Sequence, residues 1–123
     1  DKNLIILFDY EGGEEAILNC GFQYFSPCDA YLLGDQGCIR IHGRWHESNS
    51  FTKYEKSYEN PITEQIKLIG KGYTYEIEEC HHCLRNKFIE SPTWNWQNTI
   101  ELMEILDEVR RVINLDYGEI ENL

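Results

Sequence analysis

The chain has 123 residues, of which 41% are hydrophobic and 27% are charged, and its formal net charge is −11. This length and composition are typical of a single globular domain and disfavour the disordered and fibrous classes. Because phosphate backbones and anionic lipids repel an acidic surface, we expect no nucleic-acid partner and no membrane partner.

The sequence also predicts a location in the cell. It contains no apolar run of the roughly 20 residues that a membrane-spanning helix needs, and it shows no secretory signal pattern. Its cysteines number five, which is odd, so a disulfide framework is disfavoured. We therefore expect a soluble, cytoplasmic protein with reduced thiols. A strand-like run begins at Leu4 without a preceding methionine, which suggests a piece of a longer polypeptide.

Alternating apolar and polar residues predict six strands in the first half of the chain. Glycine pairs indicate hairpin turns at Gly12-Gly13 and at Gly34-Asp35-Gln36-Gly37. All the connections are short, which favours antiparallel neighbours. The predicted strands are Leu4–Tyr10, Ala16–Tyr24, Asp29–Leu33, Cys38–His42, Phe51–Tyr58 and Ile62–Ile69.

Apolar residues at helical spacing predict two helices in the second half, over Tyr75–Asn86 and Thr99–Ile113. In the second helix, Asn98 and Glu101 have the spacing of a capping box, and Asp107 and Arg111 have the spacing of an i to i+4 ion pair. Trp94 and Trp96 are expected to pack under that helix.

Strands followed by helices predict an α+β fold, an open and predominantly antiparallel six-stranded sheet with the two C-terminal helices on one face. The other face would carry apolar side chains without cover, and a second copy of the sheet would provide it. We therefore predict a homodimer through the sheet. The apolar positions assigned to that face are Ile5, Leu7, Leu33, Ile39 and Ile41.

Two patterns resemble known sites and lack parts of them. Gly70-Lys71-Gly72 lies between a strand and a helix, as a dinucleotide-binding turn does, but Tyr75 occupies the third small position and acidic residues crowd the helix start. Cys80-His81-His82-Cys83 contains metal-binding residue types, but four consecutive helical residues point in different directions and cannot surround one zinc ion. We predict no cofactor site and no metal site here, with Cys80 and His81 at a core edge.

The best candidate for binding a small molecule is the loop after the fourth strand. Arg44, Trp45 and His46 place a guanidinium group, a large amphipathic ring and an imidazole together at the end of a strand. We predict these three as substrate-binding residues. The alternative is that Trp45 only fills the edge of a core.

Several segments together resemble the C-terminal domain of the Gfo/Idh/MocA oxidoreductases, in the branch of the dimeric dihydrodiol and xylose dehydrogenases. The resemblance covers nearly the whole chain. It is carried by Ala16–Phe22, Gly34–Ile41, Trp45, Gly72–Glu76, Cys83–Arg85, Glu90–Pro92 and Met103–Arg110.

This resemblance implies a two-domain enzyme in which an N-terminal Rossmann domain, absent from these 123 residues, binds NAD or NADP. Residues 1–123 would form the wall of a substrate pocket and the dimer interface, and Trp45 matches a tryptophan that lines that pocket. The family's catalytic residues precede the first strand, so none falls in this chain, and the isolated segment would be inactive. The competing hypothesis is a free-standing dimerising interaction module without enzymatic activity.

Overall fold

The computed structural model describes residues 2–70 and 72–118. They divide into two compact units, with the boundary between Lys67 and Leu68. The first unit contains the strands and the second contains the helices. This arrangement confirms the predicted α+β class.

The first two strands form a hairpin. β1 (Asn3–Asp9) pairs with the antiparallel β2 (Glu15–Gly21), with Leu7 opposite Ile17. The turn is closed by the N–H of Tyr10, which donates to the carbonyl of Glu14 at 3.0 Å. The predicted hairpin is confirmed.

The next four strands form a second, four-stranded sheet, in the order β3-β4-β5-β6 and antiparallel throughout. The prediction of one six-stranded sheet is wrong, because β2 and β3 belong to separate sheets and residues 22–29 between them form no strand. Pro27 has no N–H for a ladder, and Cys28 has a φ of 53°. The four strands are β3 (Ala30–Gly34), β4 (Gly37–Ile41), β5 (Ser50–Glu55) and β6 (Ile62–Gln65).

The turn between β3 and β4 requires glycine at its second end. Gly37 has a φ of 152°, and a Cβ atom there would lie 2.1 Å from the carbonyl oxygen of Tyr54 on β5. Gly34, at the first end, has no such close neighbour. The short hairpin turn predicted from the sequence is thus confirmed and fits tightly against the third strand of this sheet.

The register gives the four-stranded sheet two chemically different faces. Leu33 pairs with Cys38, whereas Ile39 pairs with Leu32. Since paired residues share a face and neighbours alternate, Leu33 does not share the face of Ile39 and Ile41, contrary to the prediction. We call the face with Leu32, Ile39, Ile41, Phe51 and Ile62 the apolar sheet face. The opposite one, the polar sheet face, includes Tyr31, Arg40, Thr52 and Thr63.

The two helices of the second unit are α1 (Tyr73–Asn86) and α2 (Trp96–Val112). The capping box of α2 lies one turn earlier than predicted. Asn95 is the N-cap and exchanges hydrogen bonds with Asn98, at 2.9 and 3.1 Å. Glu101 instead accepts from the side chain of Gln97 at 3.1 Å.

The ion pairs near the end of α2 also differ from the prediction. Asp107 pairs with Arg110 at 2.6 Å, and Arg111 pairs with Glu108 at 2.5 Å. Both pairs have i to i+3 spacing, which brings side chains together on a helix as readily as i to i+4 spacing does. The hydrogen bond from Arg111 is the main cause that lowers the pKa of Glu108.

Few side chains are enclosed. Among the described residues, Thr52 alone is buried, with 4% of its surface exposed, and no apolar side chain is buried.

The exposure of several residues differs from the prediction. Cys80 and His81 are exposed, so their predicted place at a core edge is wrong. Trp96 begins α2 and is also exposed, and Trp94 binds Thr99 on the first turn, so neither packs under the helix as predicted. The placement of both helices on one face of the sheet stays a prediction.

Neither described helix combines the length and the hydropathy needed to cross a bilayer.

Candidate functional site

The loop that connects β4 to β5 brings the three predicted site residues together. A short 3-10 turn covers Trp45–Glu47, and the N–H of Glu47 donates to the carbonyl of Arg44 at 2.7 Å. The indole of Trp45 is 56% exposed, and its ring meets the imidazole of His46 edge to face, with 5.5 Å between the centroids. We call residues 43–47 the tryptophan loop.

Glu47 is a fourth member of the site that the sequence did not reveal. Its carboxylate accepts a hydrogen bond from the Nη2 of Arg44 at 3.0 Å and lies 3.9 Å from the Nε2 of His46. The guanidinium charge of Arg44 is therefore partly balanced within the loop. The spacing of three residues was the available signal, but it carries little weight in a chain this acidic.

The tryptophan loop is attached to the segment that precedes β3. The side chain of Asp29 is only 7% exposed, and its Oδ1 accepts the backbone N–H of Gly43 at 2.9 Å. Its Oδ2 accepts from the Nε of Arg40 at 2.7 Å. This hydrogen bond is the largest cause that raises the pKa of the Arg40 guanidinium. In addition, the N–H of Trp45 donates to the carbonyl of Cys28 at 2.9 Å.

A chain of hydrogen bonds crosses the polar sheet face beside this loop. The Nε2 of His42 lies 2.7 Å from the Oγ1 of Thr52, which lies 2.8 Å from the Oγ1 of Thr63. These hydrogen bonds satisfy the buried Thr52 hydroxyl, and they fix the His42 ring at the base of the tryptophan loop. The sequence gives no local signal for it, since the partners are brought together by strand register.

An open crevice of about 370 Å³ lies at the other end of the same sheet, near the β3–β4 turn. Leu33, Cys38 and Tyr54 are among its lining residues, and none of the three predicted site residues is. The tryptophan loop thus lies apart from this crevice, and its Trp45 is exposed.

A second cluster joins α1 to the segment before α2. The Oγ of Ser91 donates to the Oε1 of Glu79 at 2.5 Å and accepts the N–H of Thr93 at 3.0 Å, while the Sγ of Cys83 lies 3.5 Å from the same Glu79 oxygen. The bond from Ser91 is the largest cause that lowers the pKa of Glu79. Desolvation, followed by the bond to Glu79, raises the pKa of the Cys83 thiol.

A thiol with a raised pKa holds less of the nucleophilic thiolate, which disfavours a nucleophilic role for Cys83. His82 also lies on α1, and its ring packs against the ring of Phe88, with 5.8 Å between the ring centroids. Within residues 2–70 and 72–118, no three His, Cys, Asp or Glu side chains are grouped so as to hold a metal ion.

Comparison with known proteins gives two kinds of relatives. The chain is 27% identical to trans-1,2-dihydrobenzene-1,2-diol dehydrogenase from Mus musculus and 24% identical to the same enzyme from Xenopus tropicalis, over 97% and 95% of its length. It is 37% identical to D-xylose 1-dehydrogenase (NADP⁺) from Hypocrea jecorina over 42% of its length, which is 13% of that enzyme. No family model matches, and no solved structure matches.

These similarities relate the chain to dehydrogenases, and so to oxidoreductases. The chain spans 37% of the length of each of the two dihydrodiol dehydrogenases.

The second cluster makes a prediction about pH. Replacing Ser91 by alanine is expected to raise the pKa of Glu79 towards the ordinary value, because the carboxylate loses its main hydrogen-bond donor. A carboxylate with a lowered folded pKa contributes stability above its unfolded pKa and loses it as the pH falls through the folded pKa. The melting temperatures of wild type and Ser91→Ala should therefore differ more at neutral pH than in acid.

Carbon-13 NMR titration of the side-chain carboxyl groups measures the pKa directly. Ser57→Ala is the matched control, because the Ser57 hydroxyl accepts from the backbone N–H of Glu59 and lies in the first unit, outside this cluster. An unchanged Glu79 pKa in Ser91→Ala would contradict the assignment.

Proposed function

We propose that these 123 residues are the C-terminal domain of an NAD(P)-dependent oxidoreductase of the Gfo/Idh/MocA type that acts on a sugar, polyol or other diol-like substrate. In this proposal the domain contributes one wall of the substrate pocket and a homodimer interface, and the enzyme is cytoplasmic. The observation that carries the proposal is the similarity to dihydrodiol dehydrogenases along 95–97% of the chain. It favours an enzyme domain over a free-standing interaction module.

The nicotinamide cofactor is assigned to an N-terminal Rossmann domain outside these residues. The glycine-flanked start of α1 does not suit a dinucleotide, since it is followed on that helix by Glu76, Glu78 and Glu79, whose charges repel a pyrophosphate. The residues that transfer the proton are likewise assigned to the part of the protein that precedes β1. Residues 1–123 then bind and orient the substrate.

Trp45 is the proposed contact with the substrate. More than half of its surface is exposed, and the ring is held on a loop whose backbone is attached at two points. A flat indole face packs well against the carbon-bearing face of a sugar or against the ring of a cyclic diol, while Arg44 and His46 supply hydrogen bonds to hydroxyl groups.

The apolar sheet face is the proposed surface for the second copy. Leu32 and Ile62 on this face are 60% and 50% exposed, and Ile39 lies between them in the same row of the sheet. Lys53 interrupts this row between Ile39 and Ile62, but the apolar side chains on both sides of it favour burial against a similar surface. The register also places three charged residues on this face, Lys53, Glu55 and Glu64. Lys53 and Glu64 neutralise each other in an ion pair of 2.6 Å, and Glu55 lies at the end of β5.

The substrate role of Trp45 predicts a particular change in kinetics. In the intact enzyme, Trp45→Ala is expected to raise KM by about tenfold while kcat changes much less, because the ring binds ground state and transition state alike. The matched control is Trp94→Ala, since Trp94 is exposed to a similar degree, 54%, and lies outside the tryptophan loop. An unchanged KM for Trp45→Ala would remove this residue from the pocket.

The dimer is tested by two neighbouring residues on β3. We expect the intact protein to sediment as a dimer, and Leu32→Asp to sediment as a monomer because it places an unpaired charge in the interface. Leu33→Asp is the control: Leu33 is 79% exposed but lies on the opposite face. A monomeric wild type at micromolar concentration, or dissociation caused by Leu33→Asp alone, would contradict this interface.

A further inference from the structure

The side chain of Asp29 connects two parts of the first unit through separate oxygen atoms. One oxygen accepts from Arg40 on β4 at 2.7 Å, and the other accepts from the backbone N–H of Gly43 at 2.9 Å. With 7% of its side chain exposed, Asp29 contrasts with Arg40, whose side chain is 40% exposed. A carboxylate removed from water in this way needs both partners, because an unpaired buried charge is costly.

Gly43, the loop residue that Asp29 holds, has few other contacts that would fix its backbone conformation. Gly43 has a φ of 59°, and a Cβ atom at this position would have no neighbour within 4 Å. Packing of neighbouring atoms around this position therefore does not fix the backbone of Gly43, and glycine itself accepts many backbone conformations. The hydrogen bond to Asp29 and the bond from Trp45 to Cys28, at 2.9 Å, come from two consecutive residues before β3. Together they fix the backbone on both sides of Arg44.

We propose that Asp29 is the positioning residue for substrate binding: through the N–H of Gly43 it orients the tryptophan loop, and so sets where the Trp45 ring meets the substrate. Asp29 itself contacts no substrate. This inference rests on the proposed function for its effect on kinetics, but its effect on the loop does not depend on that function.

Hydrogen exchange of the intact protein, followed by mass spectrometry or NMR, tests the effect on the loop. In Asp29→Ala we expect the amides of Gly43 and Trp45 to exchange at least tenfold faster, while those of β4 and β5 stay within threefold of wild type. Asp29→Asn combined with Arg40→Met should restore slow exchange, because the amide oxygen still accepts from Gly43 and the amide NH2 no longer faces a guanidinium N–H. The control Asp35→Ala should leave these amides unchanged, since Asp35 lies in the β3–β4 turn and accepts a side-chain hydrogen bond from Gln36.

In Asp29→Ala, Arg40 also loses its carboxylate partner. This loss is a second possible cause of any change in the exchange rates of the loop amides. The double variant Asp29→Ala with Arg40→Met removes both charges together, which is nearly neutral for folding, and still takes the acceptor from Gly43. It serves as the test where the single variant fails to fold, and it should show the same fast exchange at Gly43 and Trp45. Slow exchange at both amides in this double variant would overturn the inference.

Kinetics of the intact enzyme test whether the loop position matters to substrate. Asp29→Ala should raise KM as much as Trp45→Ala does, with kcat within twofold of wild type, and Asp29→Asn combined with Arg40→Met should restore KM. If Asp29 acts through the loop that carries Trp45, adding Asp29→Ala to Trp45→Ala should raise KM by much less than the product of the two single increases. A second, independent increase in KM, or a fall in kcat with KM unchanged, would overturn the positioning role.

Failure of the proposed function gives a different pattern. An unchanged KM in Trp45→Ala together with fast exchange in Asp29→Ala would leave the loop anchor in place and reject Trp45 as a substrate contact. A raised KM in Trp45→Ala together with unchanged exchange in Asp29→Ala would keep the pocket and reject Asp29 as its anchor.

Discussion

Apolar surface without an internal core is the constraint on which the rest of this structure depends. No apolar side chain among the described residues is buried, and large ones such as Leu33, Leu84 and Ile89 are more than 70% exposed. Burial of apolar area is the main favourable contribution to folding, so a chain with this pattern gains stability when other protein surface covers it. The proposed packing against a cofactor-binding domain and against a second copy would meet that requirement.

The tryptophan loop shows how a site can be well placed on such a surface. Its backbone is attached to residues 28 and 29, and its base lies beside the hydrogen-bond chain from His42 to Thr63. The first attachment directly precedes β3, and the second lies on the four-stranded antiparallel sheet, where the turn between β3 and β4 fits tightly at Gly37. Rigid strands that carry a variable loop are a common basis for substrate selectivity, because the loop sequence can change without changing the sheet.

Features set by neighbouring residues could be predicted from the sequence, and features set by distant contacts could not. The hairpin turns at Gly12-Gly13 and Gly34–Gly37 were found because glycine determines local backbone geometry. The capping box was misplaced by one turn because Asn95 and Asn98 are both good caps. The single sheet was wrong because strand pairing depends on residues far apart in the chain.

In the candidate site, too, features set by neighbouring residues were predictable and features set by distant contacts were not. Arg44, Trp45 and His46 are adjacent in sequence, so their proximity was predictable, whereas their role in substrate binding stays a prediction. The anchor at Asp29 joins residues that are 11 and 14 positions apart, and the bond between Ser91 and Glu79 joins residues that are 12 apart. No periodicity or motif indicates contacts of this kind, since only the folded backbone brings the partners together.

The central claim is that this chain supplies the substrate side of a dehydrogenase whose cofactor is held by another domain. Calorimetric titration of NAD⁺ and NADP⁺ into the intact polypeptide, and separately into the 123-residue segment, tests it most directly. The claim predicts saturable binding of at least one cofactor to the intact polypeptide and no detectable binding to the segment. Micromolar binding to the segment, or no binding of either cofactor to the intact polypeptide, would contradict it.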